Sequence, residues 1–190
     1  MFELRSASRQ EWLDTVLRDF DRFLVDHAAC ERKASATGMS FVVRYPDRPM
    51  LVEAMIDFSL EELEHFQQVF RLMQARGLQL EADEKDPYVA TLMQQVRNGR
   101  EERLLDRLLL AGIVEARGCE RLGMIAEALP DPLLRQAYVE FQRAEARHHG
   151  LFFRLARHYF DEETTRLRAA QLLDLEASTL AALPLRAALH

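Results

Sequence analysis

The segment RAEARHHGLFFRLARHY, residues 143–159, places a carboxylate and an imidazole inside a pattern that otherwise predicts a buried helix face. Steps of four and three residues align side chains on one side of a helix. Starting at residue 134, such steps give six apolar or aromatic residues around Glu145 and His148: Leu134, Tyr138, Phe141, Phe152, Leu155 and Tyr159. An uncompensated charge is costly to bury, so this pair needs a physical reason.

The same arrangement recurs in the second long helical segment. Its stripe has Glu62 and His65 at the centre of five apolar residues: Leu51, Met55, Phe58, Val69 and Leu72. A Glu-x-x-His spacing puts both side chains one turn apart on one face, where they can bind one metal ion. Glutamate is common in this chain, so the spacing alone is weak evidence. The central position of both pairs in apolar stripes is the stronger evidence.

Two further helical segments each place one lone glutamate on their apolar side, Glu31 and Glu115. The carboxylate and imidazole set in chain order is then Glu31, Glu62 with His65, Glu115, and Glu145 with His148. Carboxylate-bridged di-iron and di-manganese bundles use this set, and two divalent cations neutralise its four carboxylates. We therefore predict that these six residues are metal ligands. The alternative is a bundle with buried Glu–Arg and Glu–His pairs.

His27 precedes Glu31 by one helical turn on the same face. We predict that it contacts this ligand rather than the metal; the alternative is an ordinary core histidine. No other acid, base or nucleophile motif is present, so we expect no catalytic residue beyond the metal ligands.

The spacing of glycine, proline and capping residues predicts four long helices, at about residues 8–37, 49–76, 100–129 and 131–160. A connection over residues 77–99 carries a short helix, and residues 162–183 predict one more. Residues 37–50 are predicted as a loop. No strand-like alternation is present. We predict an all-α, ferritin-like four-helix bundle over residues 1–190, one domain with one long crossover connection and an extra C-terminal helix.

The chain has 190 residues, a net charge of −6 and 48% hydrophobic residues. It shows no secretory leader pattern and no apolar run of membrane-spanning length, so we expect a cytoplasmic protein with no membrane partner. The net charge does not favour a general nucleic-acid binder. The basic residues are nearly all arginine, however, and arginine suits phosphate recognition.

Four local sequences resemble the MiaE family of tRNA hydroxylases: DHAACERKA around Glu31, EELEHFQQVFRLMQARG around Glu62, IVEARGCERL around Glu115, and RAEARHHGLFFRLARHY around Glu145. The order and spacing of these motifs are kept over nearly the whole chain. Where the family has serine after EAR, this chain has Gly118. The resemblance implies that Glu31, Glu62, His65, Glu115, Glu145 and His148 ligate a non-haem di-iron centre.

The resemblance also implies the reaction. Family members hydroxylate the isopentenyl group of 2-methylthio-isopentenyladenosine beside the anticodon in tRNA, with dioxygen as co-substrate and two iron ions (Fe2+/Fe3+). An electron-donating reductase of unknown identity would be a partner. The alternative function is an iron-handling ferroxidase or a peroxide-removing di-metal bundle protein, since iron or manganese in such a site can also do that chemistry. A metal-free interaction module is a third possibility.

An acidic chain needs a local basic cluster to bind tRNA. The first candidate joins Lys33 to the predicted loop, where Arg44 and Arg48 supply charge and Tyr45 offers an aromatic face for a base. The alternative is that Tyr45 packs the loop onto the bundle. The second candidate is an arginine cluster at the start of the third long helix: Arg97, Arg100, Arg103 and Arg107.

Overall fold

The computed structural model describes residues 3–190, which form seven α-helices and no β-strand. The all-α prediction and the extra C-terminal helix are confirmed. No helix among these residues is both long and apolar enough to cross a membrane. The helices are α1 (Gln10–Arg18), α2 (Phe20–Arg44), α3 (Pro49–Ala75), α4 (Pro87–Met93), α5 (Arg100–Ala128), α6 (Pro132–Tyr159) and α7 (Glu162–Ala182).

Aspartate side chains cap the N-termini of four of these helices, among them α4, α6 and α7. Asp86, Asp131 and Asp161 accept hydrogen bonds from backbone N–H groups in the first turns of α4, α6 and α7. Each side chain satisfies donors that have no partner within the helix. The short helix predicted within residues 77–99 and the helix predicted to begin at about residue 131 are thereby confirmed, and α3 ends near residue 76 as predicted, before Gly77, whose φ is +72°.

The first predicted helix is wrong at both ends and in its middle. It begins at Gln10 rather than Ser8, and it is interrupted at Asp19, whose side chain accepts from the Arg22 backbone N–H and so starts α2. The predicted loop over residues 37–50 is helical as far as Arg44. Gly38 lies inside α2, at the point where α3 approaches closely. Its lack of a side chain therefore serves helix packing and does not end the helix. A Cβ added there would lie 2.8 Å from Phe58 Cδ1.

The chain divides into two compact units. The first unit holds Lys85–Leu185, His190 and the described residues up to Leu13; its two long helices, α5 and α6, pack against each other. The second unit holds Asp14–Glu84 and Arg186–Leu189, and in it α2 packs against α3. Each unit thus contains one pair of long neighbouring helices.

A buried ionic network fixes α5 within the first unit. The fully buried Arg117 donates from Nε to Glu176 Oε1 on α7 at 2.9 Å and from Nη2 to Glu176 Oε2 at 3.1 Å. Tyr88 on α4 donates to the same carboxylate at 3.0 Å. Burial opposes the charge of Arg117, but the charges of Glu176 and Glu120 outweigh it and raise the pKa of the guanidinium. The network therefore joins α5 to α4 and α7.

Candidate metal centre

The second unit carries a cluster of two carboxylates and one imidazole. Glu31 comes from α2, and Glu62 and His65 come from α3; each offers a ligand atom within 4.8 Å of those of the others. His65 Nδ1 lies 3.7 Å from Glu31 Oε2 and 3.8 Å from Glu62 Oε2. These separations exceed hydrogen-bond length. All three side chains are buried, so the atoms face one another in a space that one ion could fill.

The first unit carries a cluster of the same composition. Glu115 comes from α5, and Glu145 and His148 come from α6, again with ligand atoms within 4.8 Å of one another. His148 Nδ1 lies 3.7 Å from Glu115 Oε2, and all three residues are buried. The structure therefore brings the six predicted ligands together as two sets of three, one on each long helix pair.

Gly118 on α5 lies beside Glu145, one of the predicted α6 ligands. Gly118 lies one turn after Glu115 on α5, and a Cβ added to it would lie 3.6 Å from Glu145 Cδ and Oε2. This is an ordinary van der Waals distance. Position 118, where the resemblance described above leads us to expect serine, is thus beside a predicted ligand, and the glycine leaves that carboxylate undisturbed.

His27 lies against the Glu31 carboxylate. Its Nε2 atom is 2.6 Å from Glu31 Oε1, and its ring is fully buried 5.6 Å from the ring of Phe23. Metal-bound carboxylates and histidines commonly have such an outer hydrogen-bond partner, which fixes their orientation. The geometry fits the contact predicted for His27 with a ligand.

The electrostatics of the second-unit cluster favour a carboxylate and an imidazolium when protons alone occupy it. Burial raises the pKa of Glu31, but the hydrogen bond with His27 and the nearby imidazole of His65 outweigh burial and hold this pKa well below the ordinary value. Burial lowers the pKa of His65, but Glu31 and Glu62 outweigh burial and raise it to about 9. A divalent cation would take the place of that proton, because metal binding requires neutral imidazole.

The two arginines nearest to Glu115 in sequence do not neutralise it. Arg117 is held by Glu176, and Arg121 donates to Ser8 Oγ at 3.0 Å and stacks 4.4 Å from the Trp12 ring. Burial and the neighbouring Arg117 charge lower the pKa of Arg121 to about 10. The alternative of a buried Glu115–Arg pair on α5 is therefore wrong for these two residues.

The donor chemistry of both clusters fits the metals that the sequence predicts. Oxygen and imidazole donors without thiolate suit iron and manganese. Two carboxylates and one imidazole in each set give each buried cluster a formal charge of −2 with neutral imidazole, which one divalent cation balances. The residues present are thus compatible with one metal ion at each set.

The residues predicted to bind tRNA near the end of α2 are differently placed. Arg44 is exposed at the last helical position, and Arg48 is partly exposed just before α3. Lys33 donates to the Glu84 carbonyl at 3.0 Å and lies 3.7 Å from Asp83 Oδ1, so an acidic segment already engages its charge.

Tyr45 offers no exposed ring face. It is fully buried, with its ring centroid 6.4 Å from that of Phe41. Stacking of a base requires an accessible face. The proposed stacking role is therefore corrected: the burial supports the alternative in which Tyr45 packs this part of the chain.

The second arginine cluster is tied to a buried aspartate that no predicted site includes. Asp106 on α5 accepts from Arg97 Nε at 2.9 Å and from Arg168 Nε on α7 at 2.7 Å. Arg103 donates to Asn98 at 3.0 Å and Arg100 to Glu101 at 3.3 Å. Asp106 interrupts an apolar run, with Leu104-Leu105 before it and Leu108 after it. This interruption was the feature of the sequence that could have indicated a buried aspartate.

Comparison with known proteins gives consistent matches. A family model described as tRNA-(MS[2]IO[6]A)-hydroxylase (MiaE) matches residues 2–190. A tRNA 2-(methylsulfanyl)-N(6)-isopentenyladenosine(37) hydroxylase from Pseudomonas putida is 35% identical over 151 residues, covering 80% of this chain and 73% of that protein. A protein of the same name from Salmonella typhimurium is 34% identical over 113 residues, covering 60% of this chain and 42% of that protein.

A solved structure matches nearly the whole chain. It is described as protein 43 with aldehyde deformylating oxygenase activity from Synechococcus. The TM-score is 0.93 at 37% sequence identity, and the match covers 98% of this chain and 93% of that one. This neighbour is a ferritin-like protein, so the predicted ferritin-like fold is confirmed.

Proposed function

The chain belongs to the MiaE family, as its four motifs predicted, and we propose that it is a tRNA hydroxylase. Its substrate would be the 2-methylthio-isopentenyladenosine beside the anticodon, and its product would carry a hydroxyl group on the isopentenyl chain. The family match over residues 2–190 is the observation that carries this proposal. We expect the enzyme to act in the cytoplasm, where its tRNA substrate is found.

The six buried carboxylate and imidazole residues would hold two iron ions. In this proposal Glu31, Glu62 and His65 supply one half of the centre, and the second half comes from Glu115, Glu145 and His148. A reduced di-iron pair with oxygen-rich ligands supplies dioxygen activation when it is bound. The chain itself fixes the ligands, and the His27 contact holds Glu31 in one orientation.

Atom balance requires an external electron source. Hydroxylation of one C–H bond by dioxygen inserts one oxygen atom and reduces the other to water, which consumes two electrons and two protons. None of the described side chains forms a redox-active pair, and the two cysteines, Cys30 and Cys119, form no disulfide. We therefore propose a reductase or small electron carrier as a partner.

Product analysis tests the proposal directly. The iron-loaded protein, reduced chemically and exposed to dioxygen with tRNA carrying the isopentenyl modification, should yield the hydroxylated nucleoside in a nuclease digest. Matched tRNA lacking the isopentenyl group should yield none. A protein that fills with iron yet leaves the modified nucleoside unchanged contradicts the proposal.

The solved neighbour supplies a second candidate, because its name records an oxygenase acting on aldehydes and it is 37% identical to this chain. The same reduced protein should be offered an aldehyde in place of tRNA. Deformylation without tRNA hydroxylation would transfer the assignment to that activity. Rapid ferrous oxidation with mineral formation, or peroxide removal alone, would instead favour the iron-handling or peroxide-removing alternative.

A further inference from the structure

The outer face of α6 carries a line of four arginines. Arg143, Arg147, Arg154 and Arg157 are all exposed, at spacings of four, seven and three residues that keep them on one side of the helix. The line spans about 21 Å at the α-helical rise of about 1.5 Å per residue. We call these four residues the α6 arginine stripe.

Between Arg143 and Arg157, α6 itself adds no carboxylate to this surface. Between residues 141 and 160 the only acidic residue is Glu145, which is buried on the opposite face. Within the described residues, no carboxylate oxygen lies within 4.0 Å of the guanidinium nitrogens of Arg143 or Arg154. Arg154 lies back along the helix, with Nη1 3.0 Å from where a Gly150 Cβ would be.

In the two arginine clusters found from the sequence, by contrast, acidic residues already engage basic side chains. Around α2, acidic residues of the segment before α4 engage the basic side chains: Arg32 donates to Asp83 at 2.6 Å, and Lys33 to the Glu84 carbonyl. At the start of α5, Asp106 binds Arg97. A side chain already paired with a carboxylate must give up that pair before it can bind a phosphate. Arg143 and Arg154 of the α6 arginine stripe have no such pair to give up.

The chemistry of the stripe suits a nucleic acid better than a protein partner. Protein interfaces have an apolar or aromatic centre, whereas nucleic-acid interfaces are polar and strongly positive. Ala146 is the only exposed residue between Arg143 and Arg157 that is not an arginine, and no large exposed hydrophobic residue lies between Leu133 and Leu167. Guanidinium groups also match phosphate geometry by donating two hydrogen bonds at once.

The stripe is also close to the predicted chemistry. Glu145 and His148 lie on the inner face of the same helix, one helix diameter (about 10–12 Å) away. Resting on the proposed tRNA hydroxylation, we propose that the α6 arginine stripe binds the phosphate backbone of the tRNA stem that carries the modified adenosine. These interactions position the stem and are independent of its sequence, because phosphates carry no base identity.

The test replaces the stripe and measures the salt dependence of tRNA binding. In the variant R143Q/R147Q/R154Q/R157Q, glutamine keeps a high helix propensity and removes only charge. Removing one arginine–phosphate interaction lowers the slope of log affinity against log salt by about one, so we expect a decrease of about three to four. Affinity near physiological salt should fall at least about tenfold, with iron content and helical content unchanged.

The chain offers a matched control with the same change of charge. The variant R9Q/R18Q/R71Q/R166Q removes four exposed arginines that, like Arg143 and Arg154, have no carboxylate oxygen within 4.0 Å among the described residues. It should keep the wild-type slope, apart from a small uniform effect of net charge. If the stripe variant folds poorly, R143Q/R154Q should give about half the effect.

The outcomes separate this inference from the proposed function. Wild-type protein that hydroxylates tRNA, together with a stripe variant that keeps the wild-type slope, overturns the inference and leaves the function standing. Wild-type protein that neither binds nor hydroxylates the modified tRNA overturns the function itself. A stripe variant that binds tRNA normally but is reduced slowly by a small acidic iron–sulfur carrier would assign the stripe to the electron donor, and would also overturn the inference.

Discussion

His27 Nε2 and Glu31 Oε1 lie 2.6 Å apart on consecutive turns of α2, and both side chains are almost completely buried. The contact holds one carboxylate oxygen of Glu31 in place before any metal binds, while Oε2 faces His65 at 3.7 Å. A carboxylate held in this way loses less freedom on binding a cation. The arrangement therefore ties metal affinity to a residue that is not itself a ligand.

Replacing His27 should weaken metal binding without changing the ligands. His27→Phe keeps an aromatic ring and removes the hydrogen bond, so we expect ferrous affinity to fall about 10- to 100-fold, the usual cost of removing such an outer partner. His27→Gln, which can still hydrogen-bond, should recover part of the affinity. Anaerobic ferrous titration against a competing chelator measures both. Equal affinities in His27→Phe and wild type would rule out the positioning role.

Replacing a ligand should reduce the number of iron ions bound per chain, and not only the affinity of the protein for iron. Wild-type protein should hold about two irons per chain, and His148→Ala or Glu115→Ala should lose at least one. The neighbouring His149 provides the control: its Nδ1 lies 2.8 Å from the Gly112 carbonyl oxygen, and it belongs to neither cluster, so His149→Ala should keep both ions. Elemental analysis after desalting gives the count.

Metal removal should also lower thermal stability, because the metal-free protein buries carboxylates without their cations. Iron content unchanged in both ligand variants, or a melting temperature unaffected by chelation of the wild type, would refute the assignment of these residues as ligands.

The sequence was sufficient to find the ligand-bearing faces but not every surface. Glu62 with His65, and Glu145 with His148, stand out because helical periodicity makes polar residues in an apolar stripe visible without any tertiary information. The predicted loop after residue 37 was wrong for a tertiary reason: Gly38 is needed for the approach of α3, not for a turn. Local sequence could not distinguish a glycine that allows helix packing from one that forms a turn.

The sequence also could not show which surface charges are paired. Arg97 looked available for phosphate, but its partner Asp106 lies nine residues away and a second partner of that aspartate, Arg168, lies on α7. Conversely, the α6 arginine stripe lies in the same segment as Glu145 and His148. Its spacing is visible in the sequence, but whether carboxylates of other helices neutralise it depends on the tertiary structure.

Asp106 should stabilise the first unit in a pH-dependent way. Burial raises its pKa, but hydrogen bonds from Arg97 and Arg168 outweigh burial and lower it below the ordinary value. A carboxyl whose pKa is lower in the folded state contributes its full stability above the unfolded pKa of about 4 and loses it as the pH falls through the folded value. Asp106→Asn should therefore cost about 3 kcal/mol at about pH 7.

Urea unfolding at about pH 7, 5 and 3 checks this expectation. The difference between wild type and Asp106→Asn should be constant between the two higher pH values and should shrink at the lowest. Asp174→Asn is the control, because Asp174 pairs with Arg5 at 3.0 Å on the surface and should contribute less than about 1 kcal/mol. A pH-independent difference at Asp106 would show that the destabilisation comes from packing rather than charge.

Two helix-interior glycines should respond in opposite directions to alanine. Alanine is favoured over glycine inside a helix by about 1 kcal/mol. At Gly118 the added Cβ would make an ordinary contact with Glu145 at 3.6 Å, so Gly118→Ala should raise the free energy of unfolding by about 0.5–1 kcal/mol and keep both irons.

At Gly38 the Cβ would overlap Ser59 Oγ and lie 2.8 Å from Phe58 Cδ1, so Gly38→Ala should lower the free energy of unfolding by about 1–3 kcal/mol. Chemical unfolding with parallel iron analysis compares the two. Loss of iron in Gly118→Ala would mean that Glu145 must move toward α5 when the metal binds, which the spacing at Gly118 does not predict.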